Sequence, residues 1–309
     1  MIRPVRDTRI DFFRGLALWM IFTDHISGNF LRHFTYRVFG FSDAADIFVF
    51  VSGISSCLLY YRLIVEEGFK GAQLRAFRRV AQIYFGYLCV VAATFLLTLA
   101  TRYVYDDGYE WVLANPGAAF AEAVILDFAP GLNSVLPLYM VLIDGGAHFR
   151  SSDVVRGLCW VIVAANLAFG LAAHSGKIIG EVPLLAQMNE FWNAVKGDNT
   201  AEHWLRLSHF LAVAYLVASY VPAQTAILKM KWCQPILLCG RFSLQSYCFG
   251  AVLSLASSIY LEMGSPGLTV QVLINLLGWS LMTALAVLLA WMRRSRNALS
   301  RPRAISLRQ

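Results

Sequence analysis

Long apolar blocks constrain this chain more than any other feature. Eight of them can be marked along the 309 residues, at 12–30, 44–63, 80–103, 118–143, 154–173, 207–228, 235–261 and 268–292. Each has about the 20 mostly apolar residues a helix needs to cross the hydrocarbon of a bilayer. Backbone groups in lipid must find their partners within the segment, which leaves helices or closed barrels. Barrel strands alternate between apolar and polar residues, and these blocks do not. Composition agrees: 58% hydrophobic, 15% charged and a mean hydropathy of +0.57, against roughly 25% charged in soluble chains. The expected fold is therefore all-α, a polytopic transmembrane bundle of about eight spans. The fourth block is interrupted by Pro130, Gly131 and Pro137, as a kinked or re-entrant segment would be, and 182–192 is too short to span.

Charge sets the expected direction. Lys and Arg gather on the cytoplasmic side of membrane proteins. Here they gather before the first block (Arg3, Arg6, Arg9), between the second and third (Arg62, Lys70, Arg75, Arg78, Arg79) and after the last (Arg293, Arg294, Arg296, Arg301, Arg303, Arg308). With eight spans these three places share one side, so both termini are expected in the cytoplasm. The connection with Asp106, Asp107 and Glu110 is then external, while the first connection, with Arg32 and Arg37, fits the rule less well. The net charge of +7 reads as topology, and no nucleic-acid partner is expected. Asp24 and His25 break the run a cleavable signal would need, so the first span is expected to stay as an anchor. The six cysteines lack metal-ligand or C-x-x-C spacing and read as buried core residues, and no metal site is expected. No phosphate loop, zincin motif or nucleophile elbow is present.

The first block carries the chemistry. Arg14 and His25 are eleven residues apart, about three turns plus 20°, so both lie on one helix face, about 16 Å apart along the axis. Asp11 joins that face, and Leu18 and Phe22 fill the stripe between. Ionisable residues inside spans are costly and face the bundle interior. A histidine there can take a proton from a hydroxyl. An arginine at the inner mouth suits a phosphate or carboxylate. The plain alternative is that Arg14 reaches headgroups and His25 bonds a neighbouring helix. Asp46 enters from the outer side and is placed to orient His25 or pair with a cation. Arg75, Arg78 and Arg79 read either as positive-inside topology or as a cluster for donor phosphates. Glu122, Asp127, His209 and Arg241 are further ionisable residues within the blocks, and Ser52 and Gly53 read as close-packing residues.

These stretches resemble a known family. Arg14 and His25, then Phe-Val-Ser52-Gly53, then the arginine cluster before the third span resemble the membrane acyltransferase-3 superfamily. More closely, the chain resembles its OpgC branch, through Arg9-Ile-Asp-Phe-Phe-Arg-Gly15, Asp46-Ile-Phe-Val-Phe-Val-Ser-Gly53, Asn115-Pro-Gly117, 135–142, 205–215 and Gly240-Arg-Phe-Ser-Leu244. The resemblance implies a bundle of about ten spans that moves a succinyl group from cytoplasmic succinyl-CoA to hydroxyls of a periplasmic glucan. It implies His25 as proton acceptor, Arg14 as its motif partner, and the Arg75/Arg78 cluster as a donor-binding group; Arg79 and Arg241 are read as further substrate-binding candidates.

On that reading, residues 1–292 form one membrane-embedded acyltransferase-like domain of the bacterial inner membrane, and 293–309 a basic, unstructured cytoplasmic tail. No cofactor is expected to be bound; acyl-CoA is a co-substrate, and the glucan and membrane lipids are the other partners. After Leu142 the family pattern gives way to Ile-Asp144-Gly-Gly-Ala-His-Phe-Arg150 and returns near Leu205, and Tyr87 stands where the branch has histidine. The alternatives left open are acetyl transfer to another envelope polysaccharide, a transporter, and an inactive homologue. A covalent acyl-enzyme has no obvious nucleophile; Ser52 is the weak candidate.

Overall fold

A computed structural model describes residues 7–38, 42–105, 107–127, 153–178, 187, 199–220, 228, 230–264 and 267–299. Among these the chain is helical and contains no strand. In order the helices are α1 Thr8–Asp24, α2 Ala44–Thr101, α3 Asp107–Ala114, α4 Pro116–Val124, α5 Asp153–Ile178, α6 Asn199–Tyr220, α7 Gln234–Arg241, α8 Ser243–Glu262 and α9 Leu268–Leu299, with 3-10 turns at Phe30–Phe34 and Tyr36–Val38. Three of the described helices are long and apolar enough to cross a bilayer: Ala44–Thr101, Ser243–Glu262 and Leu268–Arg296.

α2 is a hairpin rather than a rod. Gly68 has φ 76°, ψ 171°, which is not helical. Phe48 stacks on Tyr247 of α8, while a Cβ on Gly86 would lie 3.3 Å from Cys248 of the same helix. In a straight helix residues 48 and 86 would be about 57 Å apart. Both arms therefore flank one stretch of α8, and α2 contains both the second and third apolar blocks. The charged connection between those blocks is itself helical, helped by the Arg62–Glu66 pair one turn apart. Asp43 caps the first arm, its carboxylate accepting from Ala45 and Asp46 N–H.

Several block boundaries shift; the helix of the sixth block, for one, starts at Asn199 rather than Leu207. α1 starts at Thr8, held by the Asp7 side chain, and stops at Asp24 rather than running to residue 30. The seventh block is two helices: Phe242, at φ −109°, ψ 42°, separates α7 from α8. Beyond the eighth block, α9 continues to Leu299, so Arg293, Arg294 and Arg296 extend a helix instead of opening an unstructured tail. The interrupted part of the fourth block, the 182–192 stretch apart from residue 187, and residues 300–309 lie outside the described residues.

The core forms around α1. Leu18, Phe22 and Ile26 are buried with Phe48, Ile83, Tyr87 and Val91 of α2, Tyr247 of α8 and Met282 of α9. α5 and α6 pack on each other through Cys159, Ala212, Tyr215 and Leu216, and Phe210 of α6 meets Phe50 of α2 edge-on at 4.8 Å. Large apolar side chains such as Leu277 and Trp291 point outward, as they do on a lipid-facing surface.

Candidate active site

One end of the site is built by a backbone-to-backbone crossing. Gly15 of α1 and Gly240 of α7 lie so close that a Cβ on either would strike main-chain atoms of the other helix. Glycines permit such approach between membrane helices. The crossing brings together two of the sequence motifs, Arg9–Gly15 and Gly240–Leu244. Arg14 Nη1 donates to the Gly240 carbonyl at 3.3 Å, and Arg241 Nε lies 3.6 Å from the carboxylate of Asp11. Asp11 and Arg14 are buried, whereas the Arg241 side chain is 41% exposed. Two guanidinium groups and one carboxylate thus share the mouth of the bundle. Asp11 and Arg241 are 230 positions apart, and no spacing rule pairs them.

A narrow crevice follows the Leu18–His25 part of the predicted face of α1. Leu18, Ile21, Phe22 and His25 line one wall; Ser246 and Ser254 of α8 and Met282 of α9 line the other. It has room for about one water molecule. Phe22 closes it by packing onto Gly278, and Met282 by lying against Gly250.

His25 sits at the opposite end from that crossing, just past the last turn of α1. Its Nδ1 is 2.8 Å from the Ile21 carbonyl. A carbonyl only accepts, so Nδ1 carries the proton, and Nε2 of the neutral ring keeps its lone pair. The backbone supplies the orienting partner that the sequence assigned to Asp46. Asp46 instead completes the cap of α2, accepting from Asp43 N–H at 2.9 Å.

The chain around His25 is fixed by polar groups that sequence reasoning missed. The His25 carbonyl accepts from Tyr105 Oη at 3.0 Å and from Ser258 Oγ at 3.4 Å. Ser27 N–H donates to Ser258 Oγ. Asn29 and Asn275, both 1% exposed, form a reciprocal amide pair at 3.3 and 3.1 Å. Asn29 also donates to the Thr23 carbonyl, and Phe30 N–H donates to Gln271 Oε1 at 2.6 Å. A buried asparagine within the last apolar block was the signal available, but its partner lies 246 positions away.

A second buried cluster holds His209. Its Nδ1 is 2.6 Å from Ser42 Oγ, Ser42 is 2.9 Å from Tyr36 Oη, and the Tyr36 ring stacks on the imidazole. Burial pushes the Tyr36 phenol up to about 12, so it stays protonated. Ser52 is buried without a hydrogen-bond partner among the described residues. Tyr87 donates to the Ala123 carbonyl and ties α2 to α4. Arg75, Arg78 and Arg79 lie on the second arm of α2, Arg75 and Arg78 exposed. Arg75 is engaged by Glu67 across the Gly68 turn, with Nε to Oε2 at 3.0 Å and a second, shorter contact.

The fold and this site define a helical membrane protein whose first helix carries a buried arginine near one end and a half-buried histidine just past the other. The family model described as "OpgC protein" matches residues 6–145 and 143–294. The chain belongs to the OpgC family. The two matched pieces meet just after Leu142, where the family pattern breaks in the sequence, and the second runs on through 143–204, where no motif was recognisable. No curated protein and no solved structure matches the chain.

Proposed function

We propose that this protein is a membrane O-acyltransferase of the bacterial inner membrane, with both termini cytoplasmic. It moves a succinyl group from succinyl-CoA to hydroxyls of a periplasmic glucan. The observation that carries this reading is the His25–Ile21 hydrogen bond, which presents a basic Nε2 on the helix face whose other end is Arg14. Family membership supports the reaction class. His25 Nε2 takes the proton of a sugar hydroxyl as its oxygen attacks the thioester carbonyl. The tetrahedral intermediate expels the coenzyme A thiolate, which takes the proton back from His25. Arg14 and Arg241 hold negative charge of the donor at the inner mouth, with Arg78 and Arg79 beside it; Arg75 joins them when it leaves Glu67. Because the crevice has room for about one water, Phe22 and Met282 must move aside for the acyl group.

One observation favours acetyl transfer to another envelope polysaccharide as the second reading. No arginine or lysine is among the described residues lining the crevice, and a succinyl carboxylate calls for one. Purified protein given succinyl-CoA or acetyl-CoA with the glucan, followed by mass spectrometry of the glycan, separates the two, since succinyl adds a charge and acetyl does not. Modification by neither donor refutes the proposal.

A further inference from the structure

Arg32 and Arg37 have no place in the positive-inside pattern, and the acyl-transfer site does not use them. They lie on the two 3-10 turns that follow α1. No hydrogen bond or ion pair among the described residues holds either guanidinium. Asp24 lies within electrostatic reach of both, but its carboxylate already accepts the Thr35 hydroxyl at 2.5 Å.

Thr35 also lines an apolar cavity of about 310 Å³ beside these turns. Trp19, Met20 and Thr23 of α1, Trp279 of α9, and Leu31 and Phe34 of the first turn form its walls. Its size is at the lower end of ligand pockets, roughly 300–1,000 Å³. Trp19 and Trp279 stack face to face at 5.2 Å and 5°, giving the slot a flat, rigid side. Phe34 is 68% exposed and Phe30 48%, the placement of aromatic residues at a bilayer interface. An apolar slot opening beside two cations at the bilayer edge has the form of a lipid site, tail in the slot and head at the rim.

We propose that this cavity holds an acyl chain of a phospholipid with an anionic head group, whose phosphate is bound by Arg32 and Arg37. The two guanidinium groups select the charge, and the tryptophan pair packs the chain. A zwitterionic lipid also brings a phosphate, but its ammonium group sets a positive charge beside the two cations and weakens the attraction. The proposal rests on the bundle and its bilayer, and stands apart from the acyl-transfer reading.

The test is native mass spectrometry of the full chain in mild detergent, with phosphatidylglycerol or phosphatidylcholine of identical chains. Each arginine near the surface contributes roughly fivefold, so the pair gives phosphatidylglycerol a preference of about thirtyfold at low salt. Arg32→Gln with Arg37→Gln brings phosphatidylglycerol retention down to that of phosphatidylcholine, while Arg32→Lys with Arg37→Lys keeps most of the preference. Met20→Trp fills the slot and lowers retention of both lipids. Equal retention of the two lipids by the wild type overturns the proposal, as does unchanged phosphatidylglycerol retention in the double glutamine variant. The arginine variants, at a half-buried and an exposed position, decide the matter even if Met20→Trp fails to fold.

Discussion

Gly240→Ala tests the crossing that brings Arg14 and Arg241 together. The added methyl would fall on the Asp11 carbonyl and lie 2.9 Å from Gly15 N. All these atoms are backbone, so no side chain can swing away, and α1 and α7 must part. Adding a methylene to a packed interior costs about 1–3 kcal/mol. With main chain on the far side the upper figure applies, about 3 kcal/mol, offset only in part by the ~0.8 kcal/mol of one buried CH₂. Parting the helices also breaks the Arg14–Gly240 hydrogen bond and the Asp11–Arg241 pair. Gly157 in α5 supplies the opposite case. Its Cβ would meet nothing within 4 Å, so Gly157→Ala should gain about 0.5–1 kcal/mol. Thermal unfolding of the full chain in lipid should move down several degrees for Gly240→Ala and slightly up for Gly157→Ala. Gly15→Ala combined with Gly240→Ala should cost less than the sum, because one separation relieves both clashes. A Gly240→Ala protein as stable as the wild type would refute this reasoning.

Gly68→Ala should destabilise by about 1–2 kcal/mol in the same assay, since φ 76° is left-handed and a side chain is strained there. Asn275→Ala leaves Asn29 without its amide partner and should cost about 1–3 kcal/mol; because it loosens the chain that carries His25, kcat should fall with little change in KM for the donor. Arg78→Gln with Arg79→Gln should raise KM for acyl-CoA while leaving the unfolding temperature unchanged. Arg75→Gln removes an exposed ion pair worth at most about 1 kcal/mol, so any larger loss of activity reports binding rather than folding.

What could be read from the sequence followed from local rules. The α1 face was legible because helix geometry fixes where residues 14, 18, 22 and 25 point, and the structure lines its crevice with three of them. The joining of the second and third blocks into one hairpin was not, because the connection reads as a charged loop and only Gly68 departs from helix. The break at Phe242 was missed since nothing in Arg241-Phe-Ser243 is a helix breaker. The partners of Asp11, Asn29 and His209 all lie far away in sequence, and spacing cannot reveal such pairs. Asp46 is the opposite case: Asp43 lies so close in sequence that the pair forms a helix cap.

The central claim is that His25 is the base of an acyl transfer. It is tested by measuring transfer from labelled succinyl-CoA to glucan in vesicles containing equal amounts of folded wild-type and His25→Ala protein. The expected result is a fall of about 10²–10⁴-fold in kcat with donor binding retained. A folded His25→Ala protein that transfers as fast as the wild type would contradict the account.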